Sequence, residues 1–97
     1  MKVFAIGSIV KPLTDAEREA VLAREVPHTL QLYLDGAIDQ FWFRGDRPGP
    51  IFLMNADTAE AAKAIVDQMP IVAQGFAEYE YFPVGPLAPL GRLIQGL

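Results

Sequence analysis

Residues 2–10 (KVFAIGSIV) set β-branched and aromatic side chains around Gly7 and Ser8, the composition of a buried strand. A connector follows, Lys11-Pro12-Leu13, and then Thr14 with Glu17 three residues on, a capping box that opens a helix. Asp15, Glu17 and Glu19 place negative charge where the helix dipole favours it. Gly36 supplies the C-terminal stop. Pro27 lies inside this stretch and lacks the N–H of a helical turn, so the pattern fits either a kinked helix or two abutting helices. Residues 37–44 (AIDQFWFR) predict a second strand, with Ile38, Gln40, Trp42 and Arg44 on one face and Ala37, Asp39, Phe41 and Phe43 on the other. The Gly- and Pro-dense GDRPGP at 45–50 predicts a loop into a third strand at 51–55. Asp57 or Thr58 caps a second helix, on which Ala61, Ala62, Ile65, Val66 and Met69 recur at helical spacing and which Pro70 stops. Residues 71–75 lead into a last strand at 76–82, where Ala77, Tyr79 and Tyr81 alternate with Glu78 and Glu80.

The order is βαββαβ. Two helices on one face of a four-stranded antiparallel sheet make the ferredoxin-like α+β fold. At 97 residues the chain is a single domain, 1–97. Its strands carry large apolar groups on both faces, and the helices cover only one. A second copy, packed sheet against sheet around a pocket, is the economical cover, so a homodimer or higher homo-oligomer is expected. The tail at 83–97, apolar and broken by Pro83, Pro86 and Pro89, is expected to pack on its own subunit or a neighbour.

Composition narrows the chemistry. A hydrophobic fraction of 52% with 21% charged residues excludes intrinsic disorder. The net charge of −4 excludes a basic nucleic-acid footprint. With no cysteine and one histidine, His28, thiolate sites and multi-histidine metal sites fall away, and neither a metal nor a cofactor is expected. Apolar runs fall far short of the ~20 residues that cross a bilayer. The N-terminal apolar stretch reads as a strand rather than a signal peptide, so a cytoplasmic protein without membrane attachment is expected. Walker spacing and the G-x-S-x-G elbow are both missing.

Four stretches bear a resemblance to a known group. They are Ala23-Arg24-Glu25 with Leu32 and Gly36, Phe41-Trp42, Glu60-Ala61 with Met69-Pro70-Ile71, and Pro86-Leu87. Together they resemble the muconolactone isomerase-like branch of the dimeric α/β barrel superfamily. The stretches 57–70 and 73–86 are also similar to the YCII-related branch. Arg44 lies one residue beyond the isomerases' arginine, and Ile38 stands where they have a tryptophan. The resemblance implies a cofactor-independent intramolecular isomerase of aromatic-compound catabolism, acting by proton transfer on a small lactone or unsaturated carboxylic acid. Dehydrohalogenation and polyketide cyclisation use the same proton handling in relatives.

The resemblance makes Glu25 the catalytic acid–base group. A glutamate desolvated in an apolar pocket suits reversible proton transfer; the plain alternative is a solvated helix charge. His28, three residues on, would sit on the same helical face as its partner, or merely cover the Pro27 kink. Trp42 would form a pocket wall and Arg44 an anchor for a carboxylate or enolate, against core packing and a surface ion pair as alternatives. Tyr79 and Tyr81 share a strand face, where a phenol donates to an oxyanion or simply packs. Asp39 reads as a solvated acid near its strand's start. The competing overall reading is a non-catalytic small-ligand-binding or assembly module of the YCII-related type.

Overall fold

The computed structural model describes residues 2–87, so the expected packing of the tail at 83–97 lies largely outside the described residues. The elements are β1 (Lys2–Ile9), α1 (Asp15–Leu34), β2 (Ile38–Phe43), β3 (Pro50–Asn55), α2 (Ala59–Val66), α3 (Pro70–Ala73) and β4 (Ala77–Val84). The strands form one antiparallel sheet in the order β2-β3-β1-β4, the ferredoxin-like arrangement, with β1 and β3 in the middle.

Local chemistry sets most boundaries. The Thr14 hydroxyl accepts from the Glu17 N–H at 3.1 Å, and the Glu17 carboxylate accepts from the Thr14 N–H at 3.0 Å, completing the capping box. That pairing holds the Glu17 carboxyl below its ordinary range. At the other end Gly36 takes φ +85°. The Gly36 N–H donates to the Tyr33 carbonyl and the Ala37 N–H to the Leu32 carbonyl, a Schellman motif that only a residue free to enter the left-handed region closes cheaply. Pro27 does not divide α1, which runs unbroken for 20 residues. Pro27 and Ala23, the residue one turn back whose carbonyl loses its donor, are both exposed, so that carbonyl is not confined to an apolar surrounding.

The second helix departs from expectation. Thr58, rather than Asp57, is its N-cap, accepting from the Ala61 N–H at 3.0 Å. The helix ends at Val66, before Pro70. Pro70 then opens the one-turn α3 as its first residue, where a missing N–H costs nothing. The buried stripe is Ala62, Val66 and Met69, and Ala61 faces solvent. The core lies between helices and sheet: Val3, Ala5, Ile38, Phe52 and Met54 from the strands meet Ala62, Val66 and Met69.

A β-bulge corrects the face assignment in β2. Ile38 pairs with Met54 and Gln40 with Leu53, so Asp39 is an extra residue and the alternation shifts by one. Ile38 therefore joins Phe41 and Phe43 on the helix side, away from Gln40, Trp42 and Arg44. Asp39 turns instead to Lys2, at 3.2 Å. The helix-free side of the sheet carries Phe4, Ile6, Trp42, Ile51, Leu53 and Phe82, with the Phe4 and Trp42 rings 6.3 Å apart.

Candidate functional site

Residues 18–30 of α1 and the β2–β3 hairpin flank an open cavity of about 820 Å³, within the range of small-molecule sites. Val21, Leu22, Val26 and Leu30 line it from the helix. Phe41, Phe43, Pro50 and Phe52 line it from the strands, and Ile9, Pro12 and Leu13 add to its wall. The cavity lies between the layers of one chain. Loop 45–50 folds back over β1 to form part of its wall. The Arg44 N–H donates to the Gly49 carbonyl at 2.9 Å and the Ile9 N–H to the Pro48 carbonyl at 3.2 Å. A Cβ on Gly49 would stand 2.1 Å from the Gly7 carbonyl oxygen, so the approach requires glycine.

Glu25 is the one buried charged side chain among the described residues, and it borders this cavity. α1 carries it inward one turn after Val21. The Ile71 N–H donates to Oε1 at 2.9 Å, and the Thr29 hydroxyl donates to Oε2 at 3.3 Å. Ile71 is the second residue of α3, so its N–H has no partner within that helix. The carboxylate supplies one and ties α1 to α3. Each oxygen keeps a second acceptor direction for a ligand.

Of the remaining expected site residues, Trp42 borders this cavity and the others do not. His28 is half-buried, does not line the cavity and is not a partner of Glu25; the residue four positions on, Thr29, takes that place. At 100° per residue both i+3 and i+4 are neighbours, and tertiary packing decided between them. Trp42 borders the cavity, but its ring turns to Phe4 on the helix-free side. Arg44 lies on that side too, with its side chain 16% exposed. Its Nε and Nη2 donate to the two oxygens of Asp46 at 2.9 and 2.8 Å, and its Nη1 donates to the Gly7 carbonyl and the Ser8 hydroxyl. The Asp46 pairing raises the guanidinium further and lowers the Asp46 carboxyl. Arg44 clamps the hairpin loop and offers nothing to the cavity.

Tyr79 and Tyr81 share a face, on the helix side and opposite to Trp42 and Arg44. They border a second, smaller cleft of about 410 Å³ together with Lys63 and Asp67, whose charges pair at 2.6 Å. The Tyr79 ring stacks on Phe52 at 5.8 Å and on Tyr81 at 6.5 Å, and it lies across Gly7. Its hydroxyl is buried without a hydrogen-bond partner. Burial, then the charge of nearby Glu25, then Tyr81 hold this phenol far above the ordinary tyrosine range. Burial, with Asp67 adding to it, pushes Tyr81 up to about 12. Sequence reasoning missed Thr29 and Ile71. The helical spacing of Thr29 to Glu25 was available as a signal, but Ile71 lies 46 residues from Glu25 and announces nothing.

Among the described residues no group of three acidic, histidine or cysteine side chains could hold a metal ion, and no helix is long and apolar enough to cross a membrane. No protein-family model matches the chain, and no curated protein matches it. Among solved structures, a muconolactone isomerase superposes with a TM-score of 0.74 at 15% identity, covering 89% of this chain and 90% of that one. The 5-chloro-2-hydroxyhydroquinone dehydrochlorinase of Burkholderia phenoliruptrix AC1100, solved with 2,5-dihydroxybenzoquinone, superposes with a TM-score of 0.64 at 15% identity, covering 86% and 93%. At this identity the likeness establishes the fold that the chain shares with them.

Proposed function

We propose that this protein is an isomerase-like enzyme that moves a proton on a small unsaturated ring, a lactone in the simplest case, without a cofactor. The observation that carries the reading is the Glu25 carboxylate, buried at an apolar cavity of ligand size with both oxygens held in place. Glu25 takes a proton from a carbon conjugated with the carbonyl, leaving a dienolate, and returns it to another carbon of the same system. The base ends unchanged and no electrons leave the substrate. The muconolactone isomerase and the dehydrochlorinase that share this fold both act on small rings, which supports the substrate size.

The test is proton exchange. A butenolide is incubated with the protein in D2O and deuterium at the ring carbons is followed by NMR. Wild-type protein is expected to catalyse exchange, and Glu25→Gln to lose about 10²–10⁴-fold while melting as a folded domain. Exchange at the uncatalysed rate with wild-type protein, or at the wild-type rate with Glu25→Gln, would overturn the assignment.

A second reading, a non-catalytic ligand-binding or assembly module, has one specific observation in its favour. Both Glu25 oxygens already accept protein hydrogen bonds, so the residue also serves as a strut between α1 and α3. Under that reading Glu25 substitutions change stability alone. In either case we propose that a second copy covers the apolar, helix-free side of the sheet. Light scattering that finds only monomer at micromolar concentration would refute this.

A further inference from the structure

We infer that β2 pairs edge to edge with β2 of a second copy, antiparallel about a two-fold axis at Trp42, and that this pairing walls in the open side of the cavity beside α1. The second part rests on that cavity being the ligand site; the first does not. The surface is an edge of the sheet, distinct from its helix-free face. β2 is one edge and β4 the other. β4 carries Glu78, Glu80 and Pro83, residue types that oppose the addition of a further strand. Along residues 40–43 β2 carries neither a charge nor a proline. The Arg44 N–H donates to the Gly49 carbonyl, and Pro50, opposite Phe43, has no N–H to give. Backbone groups alternate in direction along an antiparallel strand, so the N–H and C=O of Phe41 and Phe43 turn away from β3 to the open edge. The bulge at Asp39 and the loop from Gly45 bound this stretch. The register that satisfies both residues sets Phe41 against the partner subunit's Phe43, with Trp42 facing the partner subunit's Trp42.

The side chains fit the same axis. Phe41 and Phe43 lie on the helix side, and Phe43 is 89% exposed. In this register each phenylalanine gains an aromatic neighbour across the new strand pair. Beside them Leu22, Val26, Leu30 and Tyr33 form an exposed stripe along α1. Tyr33 meets Phe41 edge to face at 5.3 Å, so stripe and strand edge are one continuous surface. The cavity opens between them, bordered by Leu22, Val26 and Leu30 on one side and by Phe41 and Phe43 on the other. With Trp42, these exposed side chains leave roughly 700 Å² of apolar surface on each copy. A standard interface takes about 800 Å² from each partner. The chain carries a net charge of −4, and the patch is free of charged side chains, so two copies meet there without like-charge contact. A two-fold contact needs a self-complementary patch, and the Phe41–Phe43 backbone supplies one.

The experiment uses the absence of cysteine from the chain. Facing residues at a non-hydrogen-bonded antiparallel position stand about 4.5 Å apart at Cα, within the reach of a disulfide. Trp42→Cys is expected to oxidise mostly to a covalent dimer, and Glu78→Cys, on the opposite edge, to stay monomeric under the same oxidant. Adding Phe43→Lys, on the helix side, is expected to cut the Trp42→Cys dimer at least tenfold. Wild-type protein gives an independent readout if a variant does not fold: the Phe41 and Phe43 amides are expected to exchange with D2O at least tenfold more slowly than in Phe43→Lys. Free exchange of both amides in wild-type protein, no cross-link in a folded Trp42→Cys protein, or a cross-link that Phe43→Lys leaves intact, as contact through the helix-free face would give, overturns the pairing. Catalysed butenolide exchange by a protein without the edge pair sinks this inference and leaves the proposed function standing. An edge pair in a protein that catalyses no exchange supports the pairing and removes the proposed function.

Discussion

Replacing Gly7 by alanine tests the packing that places Tyr79 beside the candidate site. β1 is a central strand with β3 on one side and β4 on the other. A Cβ at residue 7 would stand 2.8 Å from Cε2 and Cζ of the Tyr79 ring and 2.9 Å from Cδ of Pro50. Ordinary van der Waals contact begins at about 3.5 Å, so both neighbours must retreat by more than half an ångström. They belong to the strands flanking β1, so a shift of β1 that relieves one contact tightens the other. Overpacking of this kind costs about 1–3 kcal/mol. Removing a glycine from the unfolded chain offsets about 0.4–1 kcal/mol. The expected net loss is roughly 1–2 kcal/mol, which for a domain of this size lowers Tm by roughly 5–15 °C. Thermal unfolding followed by circular dichroism measures it. The double variant Gly7→Ala/Tyr79→Leu removes the ring that is struck, and its loss is expected to fall short of the sum of the two single losses by about 1 kcal/mol. A Gly7→Ala protein that melts at or above the wild-type temperature, or strict additivity in the cycle, would refute the reasoning.

Further expectations follow from other contacts. Gly49→Ala places a Cβ 2.1 Å from the Gly7 carbonyl oxygen, backbone against backbone, and is expected to cost more than Gly7→Ala, roughly 3 kcal/mol; equal melting temperatures for the two variants would contradict it. Glu25→Ala orphans the Ile71 N–H and is expected to destabilise by about 1–3 kcal/mol, whereas Glu25→Gln retains an acceptor and loses less, an order that urea unfolding checks. Above pH 10 the unfolded chain releases its tyrosine protons while Tyr79 and Tyr81 keep theirs, so the native state holds more protons and stability falls as pH rises. Tyr79 contributes about 1.4 kcal/mol of that loss per pH unit above 10, and Tyr79→Phe is expected to flatten the slope between pH 10 and 12; an unchanged slope in that variant would show that burial does not hold the phenol neutral.

Much of the architecture was legible in the sequence because its causes are local. The capping box at Thr14 and Glu17 and the glycine stop at Gly36 each lie within a few residues of the boundary they set. The alternation of Tyr79 and Tyr81 with Glu78 and Glu80 needs only the pleat of one strand. The order of elements, and from it the ferredoxin-like sheet, followed from these signals.

The site was less legible, and particular residues show why. Strand periodicity assigns faces only while the pleat is unbroken. The bulge at Asp39 exists because of pairing between β2 and β3, and it moved Ile38 to the face opposite Trp42. Pro70 carries the same local restriction whether it ends one helix or begins another, and the fold used it to begin α3. Glu25 was singled out from sequence, yet its surroundings were set by a backbone N–H 46 residues away. The candidates His28, Arg44, Tyr79 and Tyr81 were each read by type and by face, but the layers of the fold divide them. With α3 excepted, the helical and strand segments and the side chains that bear chemistry are readable along the chain, since they depend on contacts a few residues long. Which of those side chains share a cavity is set in three dimensions, by sheet register and by hydrogen bonds between segments distant in the chain.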